Sequence, residues 1–166
     1  ALYNAGEEDY ALQLMVGTSD RSWYNMIRIG STITLEAWDM KYKPNADWNH
    51  AWGAVPANII PRRLWGIQPI TPGGSIVSIA PQLSTLENSE IEVPFLTGKV
   101  KAKYEKIYNR LARYDIELPA NVSGELTLKV DENQAITLDG QSVNMAFKTI
   151  RLTPGKHVIE LKVNSF

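Results

Sequence analysis

One stretch of the sequence, residues 30–53, gathers the residue types that sugar chemistry needs, and we call it the acid segment. Its side chains of interest are a single glutamate, an aspartate, a histidine and three indoles: Glu36, Trp38, Asp39, Trp48, His50 and Trp52. Aromatic rings stack on the C–H faces of a sugar, and a shielded carboxylate acts as an acid or a base. All five tryptophans of the chain lie between Trp23 and Trp65.

Glu36 is the sharpest candidate for chemistry. It follows Leu35 and precedes Ala37 and Trp38, so we expect apolar surroundings that raise its carboxyl pKa and suit a base working near neutrality. Residue types alone favour a structural alternative, a buried acid satisfied by backbone donors or by Arg28.

The other candidates each have a functional and a structural interpretation. His50 could bond to a sugar hydroxyl, or could cap and pack its own helix. Trp38, Trp48 and Trp52 could stack on a sugar, or could simply be large core residues. Asp39 could contact a ligand, although loop acids more often cap turns.

Composition excludes several classes of function. The 166 residues can form one good core or two small ones, and the net charge is −1 from 17 basic and 18 acidic residues. These charges are mixed along the chain, so no basic stripe indicates nucleic acid, and the apolar runs are too short for a membrane span. The absence of cysteine excludes disulfides and thiol catalysis. The two histidines have no metal-binding spacing, so we expect neither metal nor cofactor.

The hydrophobic pattern divides the chain at about residue 66. Before it, the spacing predicts one helix over residues 1–16 that ends at Gly17, and a short helix that Ser22 caps and Gly30 ends. A third helix is predicted over residues 50–65, capped by Asn49 and divided by Pro56 and Pro61. After it, period-two runs predict strands at 75–81, 90–94, 99–107, 114–118, 124–130, 135–138, 146–152 and 156–163. Many short strands with regular turns are typical of an antiparallel jelly-roll sandwich.

Short motifs spread over nearly the whole chain resemble those of bacterial α-L-rhamnosidases of glycoside hydrolase family 78. They read Ser22-Trp23-Tyr24-Asn25-Met26-Ile27, Gly30-Ser31-Thr32, Glu36-Ala37-Trp38-Asp39, Asn49-His50, Gly66-Ile67, Pro72-Gly73 and Leu118-Pro119-Ala120-Asn121. The sequence departs from the family at Leu35, where a tryptophan often precedes the acid, and at Gly74, where an aromatic residue often follows Pro-Gly.

The resemblance implies an α+β fold and a glycosidase site. Residues 1–66 would be the last helices of an (α/α)6 barrel, and residues 67–166 the C-terminal β-sandwich. Such enzymes hydrolyse terminal α-L-rhamnosides with inversion, which needs two separated carboxyl groups. Glu36 would be the general base, and His50, Trp38, Trp52 and Asp39 would contact the rhamnose-containing substrate. The general acid would come from an upstream part of the barrel, so these residues alone would be inactive.

Two further hypotheses stay open. The chain could be a non-catalytic carbohydrate-binding or scaffold module, or part of another (α/α)6 carbohydrate enzyme. If it is a piece of a barrel, we expect self-association, or poor order of the helical half, at the apolar faces of Leu2, Leu12, Met15, Met26 or Ile59. The expected location is a bacterial periplasm or the cell exterior rather than the cytoplasm.

Overall fold

The computed structural model describes residues 1–108, 111–131, 133–144 and 149–163. The chain divides into two compact units, Ala1–Leu64 and Trp65–Phe166. The first unit contains short helices and long irregular segments, and the described residues of the second form ten strands. Among the described residues, no helix is long and apolar enough to span a bilayer.

The first predicted helix is interrupted after one turn. Helix α1 covers Leu2–Ala5, and helix α2 covers Glu8–Val16. Gly6, between them, has φ 79°, a left-handed conformation that ends a helix and that glycine adopts without strain. The prediction of one continuous helix is therefore wrong at Gly6, whereas the predicted end at Gly17 is confirmed.

The second predicted helix corresponds to helix α3, which covers Trp23–Arg28 and begins as predicted. The Ser22 hydroxyl accepts a hydrogen bond from the backbone N–H of Asn25 at 3.1 Å, which satisfies a donor that the first turn leaves free. Gly30 follows the helix with φ 85° and donates its N–H to the carbonyl of Ile27. The cap at Ser22 and the stop at Gly30 are both confirmed.

The third predicted helix is three short pieces. They are a 3-10 turn over Ala51–Ala54, helix α4 over Val55–Ile59 and a π turn over Ile60–Leu64. Pro56 lies in the first turn of α4, where it needs no N–H partner, and a second proline lies in the π turn. The predicted cap at Asn49 is wrong, since the residue before the first turn is His50, which makes no side-chain cap.

The second unit is a sandwich of two sheets. Its strands are β1 Gln68–Pro69, β2 Ile76–Ile79, β3 Asn88–Phe95, β4 Gly98–Lys106, β5 Leu111–Leu118, β6 Ser123–Leu126, β7 Gln134–Leu138, β8 Gln141–Ser142, β9 Ile150–Leu152 and β10 Gly155–Val163. One sheet has the order β1-β2-β6-β9 and the other β3-β4-β5-β10-β7-β8. All pairings between these strands are antiparallel except β2 with β6, because the chain crosses into the other sheet and returns between them.

The period-two pattern of the sequence correctly identifies this half as strands. Fully buried inward side chains of the described strands include Val77, Ile79, Val100, Leu126 and Ile159. Each such burial contributes about 2 kcal/mol, so the alternation itself stabilises the sandwich. The strand predicted over residues 124–130 ends early, at Leu126. The strand predicted over residues 146–152 is described only as Ile150–Leu152, because residues 145–148 lie outside the described part of the chain.

The apolar side chains expected at a self-association surface differ in how exposed they are. Leu12 and Met26 are buried within the chain, so they are not available for such a contact. Other apolar side chains of the helical unit are exposed instead: Tyr10, Leu14, Val16, Tyr24, Ile27 and Ile33. Self-association through the helical unit stays a prediction, with these residues in place of Leu12 and Met26.

Two glycines of the second unit test how close packing constrains the backbone. Gly66 and Gly73 both have positive φ, 64° and 78°. A Cβ at Gly66 would lie 2.4 Å from the carbonyl oxygen of Ala80, whereas a Cβ at Gly73 would meet nothing within 4 Å. We expect Gly66→Ala to lower the free energy of unfolding by about 3 kcal/mol and Gly73→Ala by about 1 kcal/mol, measured by urea unfolding. Equal losses would contradict the close approach at Gly66.

Candidate functional site

The acid segment is folded back on itself by backbone hydrogen bonds. The N–H of Glu36 donates to the carbonyl of Asp47 at 3.0 Å, and the N–H of His50 donates to the carbonyl of Thr34 at 2.9 Å. The Thr34 hydroxyl adds a bond to the carbonyl of His50 at 2.9 Å. Residues 34–36 therefore run beside residues 47–50, and this brings Glu36 close to Asp47 and His50 although the sequence separates them.

Both carboxylate oxygens of Glu36 have partners. Oε1 accepts a hydrogen bond from Nζ of Lys43, and Oε2 accepts one from the backbone N–H of Asp47 at 3.2 Å. The Glu36 side chain is 23% exposed, so water reaches the carboxylate. Of the two structural partners expected from the sequence, a backbone donor is present, the N–H of Asp47. Arg28 is not a partner, because it pairs with Asp20 at 2.5 Å.

The expected rise of the Glu36 pKa is wrong. The hydrogen bond from Lys43 lowers this pKa below its ordinary value, the backbone N–H of Asp47 lowers it further, and desolvation opposes them only in part. The apolar neighbours in sequence misled the prediction because the loop directs an ammonium group onto the carboxylate. Glu36 is therefore ionised at neutral pH, which is the form that a general base requires.

His50 and Asp47 lie on the same side of the acid segment as the Glu36 carboxylate. Nδ1 of His50 is 3.8 Å from Oδ2 of Asp47, and one atom of each of the three side chains lies within 4.8 Å of the others. Two carboxylates and an imidazole are ligands that a divalent cation accepts. The Lys43 ammonium already bonds to Oε1 of Glu36, so a cation at this group would compete with it for that oxygen.

Of the three indoles of the acid segment, those of Trp48 and Trp52 are exposed to solvent, whereas that of Trp38 packs on another ring. Trp52 is 82% exposed and meets the His50 ring edge to face, with 5.1 Å between ring centroids. Trp48 is 47% exposed and donates its Nε1–H to the sulfur of Met40 at 3.1 Å. Trp38 instead packs edge to face against Trp23 at 4.9 Å. The free aromatic surface is therefore at Trp48 and Trp52.

Asp39 takes part in a turn. Its Oδ1 accepts a hydrogen bond from the backbone N–H of Lys41 at 3.2 Å, and its Oδ2 lies 3.4 Å from the amide nitrogen of Asn25. This agrees with the structural alternative for a loop acid. The predicted sugar contact of Asp39 stays a prediction, and it would have to use a carboxylate that the protein already employs.

Helix α3 anchors the acid segment at two points. The side chain of Asn25, which is 1% exposed, donates to the carbonyl of Trp38 at 2.8 Å. The indole N–H of Trp23 donates to the carbonyl of Gly53 at 2.6 Å. A Cβ at Gly53 would lie 2.5 Å from the carbonyl oxygen of Leu35, so only glycine permits this approach. Trp38, inside the segment, and Gly53, its last residue, are thus both fixed to one short helix.

Sequence reasoning missed Lys43 and gave Asn25 no role. Lys43 lies seven positions after Glu36 in an irregular segment, where no periodicity relates the two side chains. Asn25 stands inside a helical pattern, and its burial depends on the fold of the acid segment. The one available signal was that the segment contains basic residues, Lys41 and Lys43, close to a candidate carboxylate.

Known proteins match both halves of the chain. The model of the bacterial alpha-L-rhamnosidase 6 hairpin glycosidase domain matches residues 1–64, and that of the bacterial alpha-L-rhamnosidase C-terminal domain matches residues 66–143. An alpha-L-rhamnosidase of Formosa agariphila is 26% identical over 85% of this chain and 16% of its own length.

Solved structures show the same fold. The alpha-L-rhamnosidase of Dictyoglumus thermophilum superposes with a TM-score of 0.83 at 18% identity, over 97% of this chain and 20% of that one. The Streptomyces avermitilis alpha-L-rhamnosidase, solved with L-rhamnose, gives 0.77 at 21% identity, over 97% of this chain and 17% of that one. The predicted α+β fold, barrel helices followed by a β-sandwich, is confirmed.

The chain spans only 16% to 20% of the length of these relatives. Its two halves match two domains of one kind of protein, in the order that the sequence motifs predicted. The chain belongs to the bacterial α-L-rhamnosidase family.

Proposed function

We propose that this chain supplies the general-base side of an inverting α-L-rhamnosidase, with Glu36 as the base. The observation that carries the proposal is a water-accessible carboxylate kept ionised by Lys43 and placed beside an imidazole and exposed indoles. The match to the 6 hairpin glycosidase domain of rhamnosidases supports the substrate class.

The proposed reaction uses Glu36 to take a proton from water. The resulting oxygen nucleophile attacks the anomeric carbon while a second carboxyl group protonates the leaving oxygen on the opposite side of the sugar. Inverting glycosidases place these groups about 6.5–9.5 Å apart to leave room for the water. In this proposal the acid comes from outside these residues, which match only 16% of the length of the Formosa agariphila relative.

The substrate contacts in this proposal come from the exposed part of the acid segment. Trp52 offers an open face for the C–H side of rhamnose, and His50 offers a ring nitrogen to a hydroxyl. Trp38 and Asp39 complete the predicted set, from positions where each already has a protein partner.

Removing the Glu36 carboxylate tests the base directly. In the whole enzyme, Glu36→Gln is expected to lower kcat on an aryl α-L-rhamnoside by on the order of 10³, because the amide cannot accept the proton. Azide needs no deprotonation, so it should restore turnover of Glu36→Ala and give the β-L-rhamnosyl azide. Glu92→Gln is the matched control, since Glu92 also pairs with a lysine, Lys99, but lies in the sandwich. Full activity of Glu36→Gln would refute the assignment.

The stereochemistry of the product tests the mechanism. Proton NMR during hydrolysis by the whole enzyme should show β-L-rhamnose first, with the α anomer appearing only by mutarotation. The isolated 166-residue chain should release no rhamnose, because one carboxyl group cannot serve both as acid and as base in this displacement. Initial release of the α anomer would indicate retention and exclude the proposed mechanism.

Replacing the exposed indole tests the sugar contact. Trp52→Ala in the whole enzyme is expected to raise KM about tenfold and to change kcat little, since stacking on the sugar is already present in the ground state. Trp52→Phe retains an aromatic face and should lose less. Tyr108→Ala removes an equally exposed ring from the sandwich and serves as the control. An unchanged KM for Trp52→Ala would argue against stacking there.

A further inference from the structure

Lys43 reaches Glu36 from a backbone that two consecutive turns define. The N–H of Tyr42 donates to the carbonyl of Asp39 at 3.1 Å, and the N–H of Ala46 donates to the carbonyl of Lys43 at 2.9 Å. The second turn contains a proline after Lys43, and it ends at Ala46, which is buried. The turns therefore fix where the Lys43 side chain starts, and its Nζ bonds to Oε1 of Glu36.

The contact between Lys43 and Glu36 has a neighbouring negative charge to offset. The groups that face its carboxylate are the ammonium of Lys43, the carboxylate of Asp47 and the imidazole of His50. Asp47 brings a second negative charge close to Glu36, which by itself would favour protonation of Glu36. Lys43 offsets that repulsion with an opposite charge bonded directly to Oε1.

Resting on the base role proposed above, we propose that Lys43 is a positioning residue for Glu36: its ammonium holds Oε1 in place and leaves Oε2 as the oxygen that takes the proton from water. Among the described residues, Oε2 accepts only the longer bond, 3.2 Å, from the backbone N–H of Asp47, so it retains a lone pair for the water. The hydrogen bond from Lys43 also keeps the pKa of Glu36 low.

The expected pH dependence follows from the direction of that pKa. Glu36 must be ionised to act as the base, so its pKa sets the acidic limb of kcat/KM in the free enzyme. Removing the positive charge raises the pKa, and activity is then lost at a higher pH as the solution is acidified. The alkaline limb belongs to the general acid and should not move.

The test compares Lys43 variants in the whole enzyme. Lys43→Met and Lys43→Gln remove the charge and should shift the acidic limb of kcat/KM to higher pH, with kcat on its plateau lowered by on the order of tenfold to a hundredfold from lost alignment. Lys43→Arg keeps the charge in a different geometry, so the limb should stay near that of the wild type while kcat falls. Two neutral variants are compared so that the pH profile of kcat/KM can still be measured if one of them fails to fold.

Lys41→Met is the matched control. Lys41 lies on the same segment and also pairs with a carboxylate, Asp20, at 2.5 Å, but it does not contact Glu36. Its variant should leave the acidic limb unchanged. If the acidic limb of kcat/KM does not move in either neutral Lys43 variant while the Glu36→Gln enzyme is inactive, the role of Lys43 is overturned and the base role of Glu36 is not. An active Glu36→Gln enzyme overturns the base role on which it rests.

Discussion

The geometry of the candidate site depends on the two backbone hydrogen bonds that join residues 34–36 to residues 47–50. Without them, Glu36 would be an isolated acid in a long loop. With them, the carboxylate lies beside the backbone of Asp47, the ring of His50 and the ammonium of Lys43. The proposed chemistry belongs to the side chains, but their spacing is a property of this short backbone ladder, which no regular helix or sheet extends.

Such a ladder needs support, and helix α3 provides it through buried polar contacts. Asn25 is almost inaccessible to water, so its amide must find partners within the protein, and it finds the carbonyl of Trp38 and the guanidinium of Arg28. Trp23 fixes Gly53 in the same way. A short helix that Ser22 caps thus holds the loop at two points, Trp38 and Gly53, although the loop has little regular structure of its own.

The fold could be predicted from the sequence wherever a local rule applied. Alternation identified the strands, and the Ser22 cap and the Gly30 stop bounded α3, because each depends on a few neighbouring residues. The predictions of a continuous helix through Gly6 and of a cap at Asn49 were wrong, because each local signal is compatible with more than one structure. A glycine in a helical pattern can end the helix, and a capping residue before two prolines need not begin one. Glu36 could be singled out, but its partner Lys43 could not, since pairing across an irregular loop leaves no pattern in the sequence.

In the proposed mechanism, with Glu36 as the base, the direction of the Glu36 pKa also bears on the general acid. Inverting hydrolysis needs one carboxylate ionised and one carboxyl protonated at the same pH, so the two environments must shift their pKa values apart. Lys43 and a backbone N–H shift the base side downward. The proposed mechanism therefore requires an acid that lacks such donors and lies where burial or a neighbouring carboxylate favours its neutral form. On this proposal, the loop that carries Glu36 supplies one side of the asymmetry that the reaction requires.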